Sequence, residues 1–414
     1  MRPDELAWMF LPLFLFDAPR YLIGSLAMWL ADWWERLFST NTDEDTSHVY
    51  QPSVCVVIAG LNEAKSLRNG LKRLIGSYPV LEIIVVDDGS TDGMAKVGHS
   101  IARDHDNILV LSKPRGGKSS AMNFALPFTK AEVVIVLDAD SHLSENAIWE
   151  IVQPLADPEV GAVSGNVLVR NAFHNLVTRF QALEYQRSIL LGRMLTNRLN
   201  LLGIASGAFG AFRRTALEHI KGWDVGPGED EDITLRLRKV GYRIEFVPNA
   251  ECWTQAPVKW KVLIKQRRRW EWAVVTFESR KHIDMANIFS AAIRFTDLLL
   301  VLERWLFNLF LPIVFWFYFA WFLLSQDATH VCNVFLLYYI SYCVMDFLTW
   351  LLILNYSTQP KRDFRLGIMV PLMSVYHFIQ RCVTTWAIAE EILYRRSFRD
   401  GFVPKHVREA TWHW

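Results

Sequence analysis

Three long apolar segments in the last third of the chain limit its fold more than any other feature. They span residues 298–324, 331–354 and 366–393, and each is long enough to cross roughly 30 Å of hydrocarbon as a helix. Hydrophobic residues make up 51% of the chain, and the long apolar runs lie here and at the N-terminus. This distribution predicts α-helical membrane segments joined to a soluble domain.

An interrupted apolar stretch begins the chain. Residues 6–16 are apolar, the polar Asp17-Ala-Pro-Arg20 follows, and apolar residues resume over 21–34 without a small-residue cleavage site. The pattern predicts a retained membrane anchor over residues 1–40, or a pair of short re-entrant helices, rather than a signal peptide. It leaves open whether this region crosses the membrane once, twice or not at all.

Four short apolar runs between these regions alternate with helix-length polar stretches. The runs are residues 53–59, 81–86, 108–111 and 133–137. Their spacing predicts an α/β domain with a mostly parallel, Rossmann-like sheet within residues 50–280. Ligands bind beyond the carboxyl ends of the strands in such sheets, so the residues that follow these runs are site candidates. They are Asn62-Glu63, Asp87-Asp88 and Asp138-Ala-Asp140.

The distribution of Lys and Arg predicts which side of the membrane each loop occupies. Residues 361–365 are basic, whereas 325–330 contain neither Lys nor Arg, so the former are predicted in the cytoplasm with the α/β domain. Three full crossings would place the basic tail, 396–414, outside, so either one segment is re-entrant or interfacial or the tail is an exception. The third segment is the candidate because a proline and polar side chains interrupt it. These residues are Pro371, His377, Gln380 and Arg381.

Composition excludes some classes of partner and site. The net charge of +1 implies no whole-protein field toward nucleic acid. The five cysteines are scattered without CxxC or metal-ligand spacing, which indicates reduced packing residues.

The Asp138-Ala-Asp140 motif ends the run 133–137. Alternate residues of an extended chain point the same way, so the two carboxylates can share one divalent metal that bridges a diphosphate. An isolated Asp-x-Asp is a weak signal, because two acids that cap a helix have the same spacing. Its position after a buried strand favours the metal site.

Two turns are candidate nucleotide contacts. In Asp87-Asp88-Gly-Ser90 a carboxylate can accept a hydrogen bond from a nucleotide base or a ribose hydroxyl, although a plain turn is an equal alternative. The spacing also imitates a calcium loop, but His99 stands where a bidentate Glu is needed, which excludes calcium. Arg115-Gly-Gly-Lys118 resembles the end of a P-loop, yet Ser112 replaces the first glycine, which argues against a Walker-type NTPase. The Arg115-Gly-Gly-Lys118 segment can be either a solvated turn or a turn that binds an anion.

Two further clusters follow. Gly228-Glu-Asp230-Glu-Asp232 concentrates acids at a helix start; the helix dipole accounts for some of them, and one is a candidate general base. Gln266-Arg-Arg-Arg269-Trp270 lies where the soluble domain meets the apolar segments. It is either a helix on anionic headgroups or a site where Arg269 binds phosphate and Trp270 stacks on a sugar.

Taken in order, these motifs resemble those of the inverting, family 2 processive polysaccharide synthases, which include cellulose, chitin, hyaluronan and poly-N-acetylglucosamine synthases. The resemblance extends from about Ser53 to Trp270 and also includes Ala59-Gly-Leu-Asn62-Glu63 and Ser206-Gly207. It implies a GT-A-type domain, a magnesium or manganese cofactor and a UDP-sugar donor. It departs from the family at the first motif, where an aromatic residue often precedes Asn, so the uracil contact is less defined.

The resemblance also implies a role for each matching residue. Asp230 is the base, and Asp140 and Asp138 are metal ligands, with Asp140 the more direct. The donor is bound by Glu63, Asp87, Asp88, Lys118, Asp138, Gln266 and Arg269. The acceptor is bound by Ser206, Gly207 and Trp270.

The implied function is polymerisation of a UDP-hexose, with UDP-N-acetylglucosamine favoured, into a β-linked polysaccharide that leaves through channel helices over residues 281–395. The protein would be integral to a plasma or inner membrane, with its catalytic domain cytoplasmic and no appended regulatory domain. An accessory membrane or export subunit is compatible with this function. The alternatives are a glucan or hyaluronan synthase, a non-processive transferase to a lipid acceptor, and an inert scaffold, which the intact acids argue against.

Overall fold

The computed structural model describes residues 18–38, 49–224, 228–289, 294–401 and 403–411. The first apolar stretch, 6–16, lies outside these residues. The described strands are β1 (Val54–Gly60), β2 (Leu81–Asp87), β3 (Ile108–Ser112), β4 (Val133–Asp138), β5 (His142–Leu143), β6 (Val160–Val169), β7 (Phe209–Arg213) and β8 (Arg243–Thr254).

Helices connect these strands and continue after them. Those of the first 281 residues are α1 (Gly24–Phe38), α2 (Ala64–Leu74), α3 (Met94–Ala102), α4 (Lys118–Ala125), α5 (Ala147–Val152), α6 (Leu176–Tyr185), α7 (Gly192–Arg198), α8 (Arg214–His219), α9 (Glu229–Lys239) and α10 (Trp260–Ala273). π-helical turns precede α1 at Ala18–Ile23, join α6 to α7 at Gln186–Leu191 and extend α10 at Val274–Lys281. The later helices are α11 (Phe295–Arg304), α12 (Leu311–Ser325), α13 (Ala328–Tyr356), α14 (Pro360–Leu366), α15 (Val370–Tyr394) and α16 (Lys405–Thr411).

The strands form one sheet in the order β3-β2-β1-β4-β7-β6-β8-β5. The half that contains β3, β2, β1 and β4 is parallel throughout, as the alternation of strands and helices predicts. The other half is mixed, because β7 runs antiparallel to both β4 and β6 while β8 is parallel to β6. The α/β prediction is confirmed, with a mixed rather than uniformly parallel sheet.

Strand β1 explains why this sheet is buried on both faces. Its side chains alternate, so that Val54, Val56 and Ile58 pack in one core while Cys55 and Val57 pack in the core on the opposite face. All five side chains are buried. A continuous apolar run is typical of a parallel strand that helices cover on both sides.

Helical segments of the last third are long and apolar enough to cross a membrane. They run over Phe295–Ser325, Ala328–Tyr356 and Pro360–Tyr394, close to the three predicted segments. Their apolar side chains are largely exposed in the isolated chain; Phe317, for example, is 75% exposed. Such exposure is expected where lipid replaces water.

Helix α15 lies beside the α/β domain instead of leaving it. Near its start, the Tyr376 ring stacks on Phe180 with 4.7 Å between centroids. Further along, Thr384 Oγ1 donates to Glu271 Oε1 at 3.0 Å, and near its end Glu391 pairs with Arg280. The third apolar segment therefore packs against α6, α10 and the π-helical turn that extends α10.

Candidate active site

The turns that follow β1 and β2 are locked together by hydrogen bonds. Asn62 has a left-handed backbone, with φ of 61°, and its N–H donates to Ser90 Oγ at 2.8 Å. Its side-chain Oδ1 accepts from the Thr91 N–H, also at 2.8 Å. Asp87 Oδ1 accepts from the Ser90 N–H at 2.8 Å. The first two predicted motifs therefore form one wall of a cleft at the carboxyl edge of the sheet.

Asp88 fixes the loop of the glycine-rich turn. Its Oδ1 accepts from Lys113 Nζ at 2.9 Å and from the Gly116 N–H at 2.8 Å, while Oδ2 accepts from the Gly117 N–H at 2.7 Å. Asp88 is buried, so these bonds replace the water that a carboxylate would otherwise bind. Its carboxylate therefore orients the loop that precedes Lys118, and no motif in the sequence singled out Lys113 as its partner.

Lys118 connects three of the predicted motifs. Its Nζ lies 2.5 Å from Asp138 Oδ1, 2.8 Å from the Gly207 carbonyl oxygen and 3.2 Å from Glu229 Oε1. Burial by itself would lower the pKa of Lys118, but the charges of Asp138 and Glu229 outweigh it and raise the pKa. The lysine therefore carries its charge at the centre of the cleft.

The strand-end acids fit a divalent cation. Burial, together with the charges of Asp138 and Glu63, raises the pKa of Asp140 to about 6, and a cation beside these carboxylates would reverse that effect. Asp138 already shares an oxygen with Lys118, so Asp140 is the freer ligand. No group of three or more His, Cys, Asp or Glu side chains with metal-site geometry occurs among the described residues. Magnesium sites commonly use one or two carboxylates plus substrate phosphates, so two acids suffice.

The first two acids of α9 face the cleft. Glu229 pairs with Lys118, and Asp230 Oδ2 accepts from the Gly207 N–H at 3.2 Å. Asp230 is partly exposed, and burial together with the charge of Glu229 raises its pKa. A carboxylate with a raised pKa at the edge of a cleft suits a general base, because its proton affinity lies closer to neutral pH.

The other two acids of α9 face away from the cleft. Glu231 Oε1 accepts from Arg304 Nη2 at 2.7 Å, which ties α9 to α11. Asp232 Oδ1 lies 2.8 Å from His282 Nε2 and 2.7 Å from Lys281 Nζ. Both carboxylates are buried, so they act as structural ion-pair partners and not as groups that a substrate can reach.

Gly207 allows the cleft to close around these charges. A Cβ at this position would lie 3.2 Å from Lys118 Nζ and 3.3 Å from Asp230 Oδ2. The adjacent Ser206 is buried, and its N–H donates to Ser164 Oγ at 3.1 Å. The Ser206-Gly207 segment therefore presents backbone between the lysine and the candidate base.

The Gln266-Arg-Arg-Arg269-Trp270 motif lies on α10, and its arginines differ in their surroundings. Arg267 is buried; its Nη2 donates to Glu184 Oε2 at 2.8 Å, and its guanidinium lies 4.0 Å from the centroid of the Trp270 ring. Gln266 Oε1 accepts from Arg267 Nη1 at 3.2 Å. This pairing supports a Trp270 ring that remains 46% exposed, as a stacking platform requires.

Arg269 contacts the C-terminal part of the chain. Its Nε lies 3.0 Å from Asp400 Oδ2, so a carboxylate already neighbours the guanidinium predicted to hold phosphate. Arg115 Nη2 donates to the adjacent Gly401 carbonyl oxygen at 3.3 Å. The structure thus brings the glycine-rich turn and the end of α10 to one segment after α15, a contact that no motif predicted.

Sequence comparison shows which family has this arrangement. The family described as Glycosyltransferase like family 2 matches residues 52–273, more than half of the chain. The "Probable glycosyltransferase YdaM" of Bacillus subtilis is 32% identical over 317 residues, which cover 73% of this chain and 71% of that protein. Poly-beta-1,6-N-acetyl-D-glucosamine synthases of Staphylococcus epidermidis and Staphylococcus aureus are 27% and 28% identical over 265 residues. Those alignments cover 63% of this chain and 63% of each synthase.

A solved structure shares the fold. The mannosyltransferase PcManGT of Pyrobaculum calidifontis, in complex with GDP-Man and Mn²⁺, superposes with a TM-score of 0.61 at 21% identity. The match covers 93% of this chain and 99% of that one. The chain is therefore a family 2 glycosyltransferase with a GT-A-like domain, followed by helices that are long and apolar enough to cross a membrane.

Proposed function

We propose that this glycosyltransferase polymerises a UDP-activated hexose, UDP-N-acetylglucosamine, into a β-linked polysaccharide and passes it across the membrane. One observation carries the proposal: the candidate base, Asp230, lies beside Gly207 and Lys118, and the half-exposed Trp270 ring lies on α10, the helix that contacts α15 of the apolar region. The relatedness to poly-beta-1,6-N-acetyl-D-glucosamine synthases supports the choice of sugar.

The reaction assigned to the cleft is a single inverting displacement. The acceptor hydroxyl oxygen attacks C1 of the donor sugar, the bond from C1 to the diphosphate oxygen breaks, and UDP leaves with the electron pair. Asp230 takes the hydroxyl proton as the new glycosidic bond forms. The Asp230 carboxylate is held for this by the Gly207 N–H, and its raised pKa suits it to accept a proton.

The donor lies, in this proposal, along the strand-end acids. Glu63 and Asp87 bind the uridine, and Asp88 holds the loop against it. Asp140, with Asp138, holds a magnesium or manganese ion, which when bound neutralises the charge of the diphosphate. Lys118 and Arg269, with Gln266, supply positive charge and hydrogen bonds for the leaving UDP.

In this proposal the acceptor lies on the side of Asp230 that faces away from the donor. Ser206 and Gly207 line its path, and Trp270 stacks on its terminal sugar, because a half-exposed indole ring offers a flat apolar face. The helices that follow α10, within residues 281–395, form the exit channel in this proposal.

Contacts of the basic segments support a cytoplasmic catalytic domain in a plasma or inner membrane. Arg362 Nη2 donates to the Val169 carbonyl oxygen at 2.9 Å, so the basic loop lies on the same side as the domain. Asp400 contacts Arg269 on that side as well. If α15 is interfacial, the basic loop and the basic tail, 396–414, face the same compartment, in agreement with the distribution of Lys and Arg. The anchor over residues 1–40 completes the membrane region.

A donor panel tests the proposal. Purified protein receives Mn²⁺ and radiolabelled UDP-N-acetylglucosamine, UDP-glucose or GDP-mannose singly, or UDP-N-acetylglucosamine together with UDP-glucuronic acid, and the product is sized. We expect a long polymer from UDP-N-acetylglucosamine and none with the Asp230→Asn variant. A long glucan or a hyaluronan-type polymer would show that the protein is a polymerase with a different sugar specificity. Single-sugar transfer to extracted lipid would overturn the polymerase assignment in favour of a lipid-acceptor transferase.

A further inference from the structure

One arginine beside the candidate base is not explained by the motifs. Arg193 is the second residue of α7, and its Nη1 donates to Ser164 Oγ at 2.6 Å. The same Ser164 oxygen accepts from the Ser206 N–H at 3.1 Å, and the neighbouring Gly207 N–H binds Asp230. Hydrogen bonds on either side of the Ser206–Gly207 peptide backbone therefore connect the Arg193 guanidinium with the base.

The guanidinium of Arg193 has donors to spare. Among the residues that the structure describes, it forms no ion pair, and Ser164 takes one of the five N–H groups that an arginine offers. Burial lowers the pKa of Arg193 to about 10, against the opposing charge of Asp230, so it remains a cation at neutral pH. The side chain is partly exposed, so its remaining N–H groups are open to a ligand.

The position of Arg193 indicates which ligand this is. Tyr185 lies on the same continuous helical segment as Arg193, its ring is 5.7 Å from the Arg267 guanidinium, and Arg267 in turn supports the Trp270 ring. One helical segment therefore connects the hydrogen bonds beside Asp230 with the residues that support the stacking platform. A π-helical turn at Gln186–Leu191 immediately precedes α7, and such turns often re-aim side chains at functional sites.

We propose that Arg193 is an acceptor-binding residue whose guanidinium donates hydrogen bonds to neutral oxygens of the terminal acceptor sugar, either hydroxyl or acetamido carbonyl. The neighbouring carboxylates of Glu229 and Asp230 disfavour an anionic group at this place, which points to a neutral saccharide. The inference rests on the proposed function and adds the residue that orients the acceptor hydroxyl toward Asp230.

Acceptor kinetics test this role in the full-length protein. Arg193→Gln is assayed with a short oligosaccharide of the donor's sugar, and UDP binding is titrated with Mn²⁺ present. We expect the acceptor KM to rise by about tenfold to a hundredfold, the usual effect of losing charge-assisted hydrogen bonds, with the UDP affinity unchanged. Arg193→Lys should recover part of the loss. The matched control is Arg198→Gln at the other end of α7, which pairs with Asp32 and should leave both constants unchanged.

A second variant keeps the inference testable if Arg193→Gln does not fold. Ser164→Ala removes the hydroxyl that holds Arg193 and should raise the acceptor KM by a few-fold without affecting UDP binding. An unchanged acceptor KM in Arg193→Gln, or in Ser164→Ala if the arginine variant does not fold, overturns the inference. Parallel loss of UDP affinity overturns it as well, because Arg193 would then bind the donor. If the wild type transfers no sugar from any donor, the proposed function itself fails, which is a distinguishable result.

Discussion

Two groups of acids line or support the cleft, and they are built in different ways. The strand-end acids, Asp87, Asp88, Asp138 and Asp140, follow buried strands, so the sheet itself delivers them to one edge. The helix acids, 229–232, are consecutive in sequence yet divide between the cleft and the protein interior. The first group is arranged by local strand geometry, whereas the second is sorted by which distant basic group each acid meets.

This difference shows how a motif should be interpreted. Asp138 ends β4 and Asp140 lies in the turn that follows, where the Ser141 N–H donates to the Asp138 carbonyl oxygen at 3.0 Å, so local chain geometry rather than alternation along a strand keeps the two carboxylates close. Consecutive acids on a helix point in different directions, about 100° apart, and only packing decides their roles. Substitutions in the two groups should therefore have different effects. A change in the strand-end acids should impair donor binding, whereas a change among the helix acids or their partners should lower the rate or the stability of the fold.

The largest effect is expected for Asp140→Asn, which tests the strand-end group. An amide is a far poorer ligand for a hard cation than a carboxylate, so turnover and Mn²⁺-dependent UDP binding should both be abolished. UDP titration with and without Mn²⁺, alongside Asp104→Asn at an exposed position of the same domain, measures this. Undiminished metal-dependent activity would remove Asp140 from the site.

Asp230→Asn should separate rate from donor binding. We expect a rate lowered by roughly two to four orders of magnitude, the usual scale of general-base catalysis, with UDP affinity near normal. In the wild type the rate should fall as pH drops through the raised pKa of Asp230, because the protonated carboxyl cannot accept a proton. That acid limb should vanish in the variant. Collapse of UDP binding together with the rate would contradict the assignment as base.

Arg304→Ala tests the inward-facing helix acids through stability. It leaves Glu231 and Glu278 buried without their partner, which should cost about 3–5 kcal/mol of unfolding free energy. Burial, together with the charge of Glu278, already raises the pKa of Glu231, so the deficit should shrink as pH falls and Glu231 binds a proton. Thermal unfolding in detergent across pH measures this, with Glu231→Gln as a milder comparison. An unchanged melting temperature would mean that this pair does not anchor α9.

Trp270→Ala should have the smallest effect on transfer chemistry and a visible effect on product length. A stacked ring contributes on the order of 1 kcal/mol, so weaker acceptor retention and shorter products are expected, with UDP binding and membrane insertion intact. Replacing Trp270 by Phe or Tyr instead of Ala should restore part of the product length. Product sizing and membrane partitioning on one preparation decide the matter. Full-length product from the alanine variant would contradict stacking, and loss of membrane association in proportion to activity would favour a surface helix.

The sequence by itself determined the α/β sheet edge and the apolar helices. Both depend on local patterns: a buried strand followed by a turn places Asp87 and Asp138 at one edge, and apolar length defines a candidate span. The polar residues of the third apolar segment, including His377 and Gln380, predict that it is re-entrant or interfacial, which stays a prediction. In the structure that segment lies along the catalytic domain.

Only the tertiary structure decided how side chains are shared between distant parts of the chain. The mixed half of the sheet, the loop-holding role of Asp88 and the contact between Arg269 and Asp400 all join residues far apart in sequence. Arg193 belongs to no motif and acquires its place only because it meets Ser164, whose hydroxyl oxygen also accepts from the Ser206 N–H. Periodicity and turn chemistry act over a few residues, whereas the partner of a buried charge depends on which elements pack together.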